Sequence, residues 1–180
     1  MDMLDRPTMI RVLGERLEQL QQQGNSDVLR LGKELERTPD DAELWFELGL
    51  AHNQTGLQYL DIAAQRAQLE YLEEHPEEEV PELPEVDATA VQGMFDRALA
   101  AFDRVLELAP EFYGVQCQRG IALSNMQRYE EAEQCYLRAL EEDEEDFTAA
   151  SYLAMVYRDM GRDELADRYQ RMAEELNGSV

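Results

Sequence analysis

The chain has 180 residues, 44% of them hydrophobic, which is enough for one domain with a buried core. Its formal net charge of −24 disfavours nucleic acids and anionic membrane surfaces as partners, because both are negatively charged themselves. No apolar run approaches the roughly 18 residues that span a bilayer, and the N-terminus has no secretory-signal pattern, so we expect a cytoplasmic protein.

The acidic charge has two interpretations, which the sequence leaves open. It either keeps the protein soluble or steers a basic partner towards it. The two cysteines, Cys117 and Cys135, form no CxxC motif, and we expect reduced thiols. Neither His52 nor His75 has a second ligand at metal-binding spacing. We therefore predict no metal site and no cofactor.

The first predicted element is an amphipathic helix over residues 8–23. Its apolar residues follow i, i+3, i+7 and i+10 spacing, at Ile10, Leu13, Leu17 and Leu20. Gly24 is expected to end this helix, and Ser26 is expected to cap a second one. Residues 8–38 therefore predict a degenerate pair of helices that caps the following unit.

From residue 42 onward, small residues recur with a period of 34. Ala98, Ala132 and Ala166 are spaced by that interval. Small residues let two helices cross closely, while larger residues fill the gaps around each crossing. A period of 34 is typical of stacked helix–turn–helix units.

Further residues at matching positions carry a family resemblance. They are Trp45, Leu48, Gly49 and His52 in the first unit, Gly120, Tyr136 and Ala139 in the second, and Leu153, Ala154, Tyr157 and Ala173 in the third. The chain resembles the tetratricopeptide repeat family. The resemblance implies an all-α fold, a right-handed α-solenoid of helix–turn–helix repeats with a helical-hairpin insertion. It places the repeats at 42–110, 113–146 and 147–180, within a single solenoid.

The first repeat is interrupted. Trp45 and Ala98 are 53 residues apart where the pattern expects 16, so 37 residues are inserted, at about 54–90 (53 − 16 = 37). Apolar spacing predicts helices over 57–72 and 89–109, with Gly56 as a candidate kink.

Between these helices, residues 76–87 are rich in proline and acids and predict a mobile loop. The insertion either contacts a partner, covers the binding groove or lengthens the scaffold. A second acidic run, residues 141–146, is either a solvated turn or an attractor of a basic partner.

In the resembled family, the first helix of each repeat lines a concave groove. The corresponding residues here are Phe46, Leu50, Asn53, Gln118, Ile121, Asn125, Tyr152, Met155 and Arg158. They lack the basic set with which some family members grip a terminal carboxylate. They form instead an apolar strip edged by polar groups, which either packs against neighbouring helices or awaits a peptide with apolar anchors.

These features favour a non-catalytic protein–protein interaction module, an adaptor or assembly chaperone that binds a peptide segment of a partner. The alternative is a self-associating scaffold, a homodimer that uses the uncapped C-terminal repeat and the acidic hairpin. The sequence shows no glycine-rich phosphate loop and no recognisable nucleophile–base constellation, so an enzyme is not expected.

Overall fold

The computed structural model describes residues 6–75 and 88–178, and within them the chain is helical, with no strand. The seven helices are α1 Arg6–Leu35, α2 Ala42–Glu74, α3 Ala88–Leu108, α4 Val115–Asn125, α5 Tyr129–Glu142, α6 Phe147–Asp159 and α7 Asp163–Asn177. None of these helices is both long enough and apolar enough to cross a membrane.

The helices stack as three successive pairs, α2–α3, α4–α5 and α6–α7. Each pair packs internally, and each second helix also packs against the first helix of the next pair. The first helices form a row, since α2 contacts α4 and α4 contacts α6. This is the all-α solenoid of helix–turn–helix repeats that the sequence predicts. The connections before α4 and α6 lie at the opposite edge of the stack from the turns within α4–α5 and α6–α7.

Glycine and alanine make the helix crossings possible. A Cβ atom on Gly120 would lie 2.5 Å from the ring of Tyr136, so no larger residue fits between α4 and α5. Gly49 faces the ring of Phe102 in the same way in the first pair. Ala98, Ala132 and Ala166 are almost completely buried. The close-packing role predicted for the recurring small residues is therefore confirmed.

One continuous helix, α1, replaces the pair of helices predicted over residues 8–38. It passes through Gly24 and Ser26 without a break, so that prediction was wrong. A glycine inside a helix costs only about 1 kcal/mol relative to alanine, and the packing of α1 against α2 offsets such a cost. The chain reverses at 36–41 instead, where the Asp41 carboxylate accepts two backbone N–H groups of the first turn of α2.

The insertion continues the two helices of the first repeat. α2 runs unbroken to Glu74 and α3 begins at Ala88, so helices are present where the pattern predicts them, over 57–72 and 89–109. Residues 76–87, for which a loop is predicted, lie outside the described residues.

The helix α2 continues through Gly56 without interruption. A Cβ atom on Gly56 would lie 2.9 Å from the ring of Phe95, which is completely buried. Gly56 follows Gly49 by seven residues, and Phe95 precedes Phe102 by seven. The same glycine–phenylalanine contact is thus repeated two turns along both antiparallel helices. The hairpin lengthens the packing of the repeat and does not interrupt it.

Replacing Gly56 with alanine should destabilise the protein by about 1–2 kcal/mol, because displacing the Phe95 ring outweighs the gain in helix propensity. Gly93 in α3 is the matched control, since a Cβ there meets nothing within 4 Å. Gly93→Ala should stabilise the fold by about 0.5–1 kcal/mol. Urea unfolding of the two variants measures both effects; a stabilising Gly56→Ala would contradict the extended contact.

His52 is a buried polar residue on α2, at the position that the later repeats fill with Leu123 and Tyr157. Burial, with a smaller contribution from the positive charge of Arg97, lowers the pKa of His52 to about 4. The folded protein therefore holds His52 neutral at pH values where the unfolded chain protonates it. Its contribution to stability is present above the unfolded pKa of about 6.5 and is lost as the pH falls towards 4.

Acidification from pH 7.5 to 4.5 should therefore cost the wild type roughly 2–3 kcal/mol through His52 alone. The variant His52→Leu, which carries the residue of the second repeat, should lack this cost. Denaturant unfolding of both proteins at the two pH values isolates the contribution from that of the many carboxylates. If the wild type and His52→Leu differed in unfolding free energy by the same amount at pH 7.5 and at pH 4.5, the lowered pKa of His52 would be contradicted.

Candidate peptide-binding face

All nine residues predicted for the groove lie on the row of first helices, three on each. α2 carries Phe46, Leu50 and Asn53, α4 carries Gln118, Ile121 and Asn125, and α6 carries Tyr152, Met155 and Arg158. We call this surface the first-helix face. The structure thus brings the nine residues onto successive helices, but it does not expose them equally.

The α2 end of the face belongs largely to the core. The ring of Phe46 lies 5.0 Å from that of Phe112 and 5.9 Å from that of Phe102, measured between centroids. Leu50 packs into the same cluster. Both side chains are half-buried, so at this end the apolar strip mainly packs against neighbouring helices.

Asn53 joins α2 to α4. Its side chain is buried, and its Nδ2 donates to the backbone carbonyl of Gln118 at 2.9 Å. The Oδ1 of Asn53 is buried and meets no donor among the residues that the structure describes. Asn125 behaves differently, because its Nδ2 bonds the carbonyl of Ile121 within its own helix, at 2.8 Å.

The side chains in the middle of the face are buried or half-buried. Ile121 is only 6% exposed and lies in the main core cluster. Tyr152 is half-buried, and its ring stacks on that of Tyr136 at 5.9 Å and 5° between ring planes. Tyr136 comes from the preceding repeat, so this stack also fixes α6 against α5.

The α6 end of the face is open. Met155 is 54% exposed, although it occupies the position of the buried Ile121 one repeat earlier. Arg158, one turn further along α6, is exposed and forms no ion pair with a described residue. The first-helix face is therefore packed against neighbouring helices at α2 and accessible to solvent at α6.

A cleft that the sequence analysis missed lies where α2 extends past the end of α4. Its volume is about 190 Å³, and it is lined by Leu60, Val91, Gln92, Phe95, Asn125, Met126 and Gln127. Only Asn125 among these was predicted. Leu57 and Leu60 continue the spacing of Leu50 and Asn53 along α2, and from this spacing the cleft could have been predicted. The insertion thus adds a wall to the first-helix face beside the second repeat.

The acidic run at 141–146 is partly structural. The Asp146 carboxylate accepts the N–H of Ala149 at the start of α6, and Asp143 accepts the hydroxyl of Tyr113 at 2.9 Å. Glu141, Glu144 and Glu145 are exposed. The run therefore supplies caps and turn contacts as well as solvated carboxylates.

Both cysteines are free thiols in the core. Burial, followed by the negative charge of Asp146, raises the pKa of Cys117 to about 12, so this thiol is a poor nucleophile. Over residues 6–75 and 88–178, no group of three or more histidine, cysteine or acidic side chains is placed to hold a metal ion.

A family model for the tetratricopeptide repeat matches residues 115–146, which are α4, α5 and the turn after them. The pairs α2–α3 and α6–α7 repeat the small-residue crossings of α4–α5. The helices α4 and α5 thus correspond to one tetratricopeptide repeat. The insertion sets the first helix pair, α2–α3, apart from the other two.

Solved structures of MamA are similar in fold. One crystal structure shares 14% identity, with 84% of this chain and 87% of that one covered and a TM-score of 0.46. A MamA labelled AMB-1 shares 22% identity over 98% and 95%, with a TM-score of 0.45. A MamA fragment from Desulfovibrio magneticus RS-1 shares 14% over 99% and 98%, with a TM-score of 0.46. The comparison with curated proteins gave no match.

Removing the amide of Asn53 should loosen the α2–α4 junction. Asn53→Ala leaves the Gln118 carbonyl without this donor and should destabilise the fold by about 1–2 kcal/mol. Asn125→Ala is the control and should cost less than about 0.5 kcal/mol, since the Asn125 amide bonds a carbonyl of its own helix and joins no second helix. Thermal unfolding compares the two; equal losses would mean that the Asn53 bond does not hold the junction.

Proposed function

We propose that the chain is a non-catalytic adaptor or assembly chaperone that binds a peptide segment of a partner protein on the α6 end of the first-helix face. Its tetratricopeptide repeats support a protein–protein interaction or scaffold role, and this fold is generally non-catalytic. The finer proposal concerns where a peptide docks and through which side chains.

The exposure of Met155 is the observation that carries this proposal. The equivalent residue of the second repeat, Ile121, is only 6% exposed, and its helix α4 is contacted by the next first helix, α6. Met155 has no such cover from the described residues and presents more than half of its side chain to solvent. A flexible, polarisable side chain of this kind adapts to varied apolar groups.

The surroundings of Met155 suit one apolar anchor of a peptide. The partly exposed ring of Tyr152 lies one turn before Met155 on α6 and is held in place by Tyr136. Arg158 lies one turn after Met155, where its guanidinium is available to a backbone carbonyl or carboxylate of the peptide. An apolar residue flanked by polar contacts matches the usual composition of peptide sites.

Self-association through the last repeat is the alternative, and the composition of α7 disfavours it. Gln170 and Glu174 stand where the second repeat has Tyr136 and Leu140, and their side chains bond each other at 3.0 Å. A stacked copy would have to bury this polar pair. Light scattering tests the alternative, because a particle of 20.8 kDa favours the adaptor.

Peptides selected on the wild-type protein from a random library provide the binding test. Met155→Ala should weaken at least one class of selected peptide by about fivefold or more, an effect of about 1 kcal/mol. Its thermal stability should change little, because the side chain is already exposed. Fluorescence anisotropy of labelled peptides measures the affinities.

The matched control is Leu29→Ala, which removes an exposed apolar side chain of α1, away from the first-helix face. It should leave every selected peptide bound as tightly as the wild type does. The proposal fails if all selected peptides bind Met155→Ala normally.

A further inference from the structure

The turns that join successive repeats lie side by side at one edge of the solenoid. The hydroxyl of Tyr113, in the turn before α4, donates to Asp143 in the turn before α6. The backbone N–H of Gly114 lies near the carboxylate of Glu142 and favours its ionised form. These two contacts fix the first turn against the second, and we call residues 111–114 and 141–147 together the acidic edge.

Two aromatic rings are exposed on this edge. Tyr113 is 61% exposed and Phe147 is 43% exposed, whereas the aromatic rings at the helix crossings are buried. They occupy the same position in successive repeats, since 113 + 34 = 147. The face of an aromatic ring attracts a guanidinium or ammonium group.

The carboxylates of the edge lack cations of their own. Glu141 and Glu142 lie in the last turn of α5, at the negative end of the helix dipole, and that turn holds no basic residue. Among the described side chains, no lysine or arginine forms an ion pair with residues 141–146. At the opposite edge, by contrast, Arg128 pairs with Glu131 and Arg162 with Glu133.

Burial against the neighbouring turn, with a smaller contribution from the negative charge of Asp146, raises the pKa of Glu142. An external cation would relieve both this repulsion and the unfavourable dipole interaction. The edge thus offers carboxylates and aromatic faces within one surface, and these are the groups that recognise arginine and lysine.

We propose that the acidic edge is a docking surface for an arginine- and lysine-rich segment of another protein. Charge complementarity selects this occupant, because nucleic acids and anionic membranes would be repelled. Guanidinium groups stack on Tyr113 and Phe147 while neighbouring basic side chains pair with Glu141, Glu144 and Glu145. The edge consists of turns and helix ends, so it is separate from the first-helix face and is tested independently of it.

A fluorescein-labelled peptide of alternating arginine and alanine is the probe. Neutralising the exposed acids together, as Glu141→Gln, Glu144→Gln and Glu145→Gln, should weaken its binding about tenfold at 0.05 M salt. The control neutralises three exposed acids away from the edge, as Glu130→Gln, Glu164→Gln and Asp167→Asn. Both triple variants change the net charge from −24 to −21 (−24 + 3 = −21), and the control should weaken binding less than about threefold.

The aromatic contribution is tested with Phe147→Leu, which keeps an apolar side chain but removes the ring. It should weaken binding about two- to fivefold, the effect of one exposed cation–π contact. Circular dichroism and thermal unfolding verify that each variant is folded. The proposal is overturned if both triple variants lose the same peptide affinity and Phe147→Leu binds the peptide as tightly as the wild type does. In that case net charge alone attracts the peptide. Absence of binding to the wild type would also overturn it.

Discussion

The close approach of helix backbones at glycine and alanine positions is the constraint on which the rest of this structure depends. Gly49, Gly56 and Gly120 each admit an aromatic ring where a side chain would otherwise stand. These contacts bring each pair of helices together, and stacking of the pairs aligns α2, α4 and α6 in one row. The first-helix face and the acidic edge are both consequences of that stacking. The first-helix face is the row of helices itself, and the acidic edge is formed by the turns that join successive pairs.

The period of 34 residues predicted the three repeats, because a crossing that admits only a small residue leaves that residue visible in the sequence. Glycine was a less dependable signal at Gly24 and Gly56. Gly24 was expected to end a helix and Gly56 was a candidate kink, yet a glycine inside a helix signals either a break or a close contact, and only the neighbouring residues decide which. For Gly56 the partner is Phe95, which is 39 residues away in sequence (95 − 56 = 39). A local pattern does not reveal a contact of this kind.

The sequence predicted which positions form the candidate site, but it did not predict which of them are exposed. Leu50, Ile121 and Met155 are equivalent by repeat spacing, but only Met155 among them is exposed. The cleft beside Leu60 and Asn125 depends in turn on α2 being longer than α4, which follows from packing across the insertion. Equivalent sequence positions therefore acquire different roles along the solenoid: core at Ile121 and accessible surface at Met155.

The central claim is that a partner peptide contacts the exposed end of the first-helix face. Nuclear magnetic resonance of the protein with ¹³C-labelled methionine methyl groups tests this most directly, since the chain has only eight methionines. On addition of a peptide selected on the wild-type protein, the Met155 resonance should shift in proportion to occupancy, while that of Met9 in α1 should stay in place. A saturated complex in which the Met155 resonance is unchanged would contradict the account.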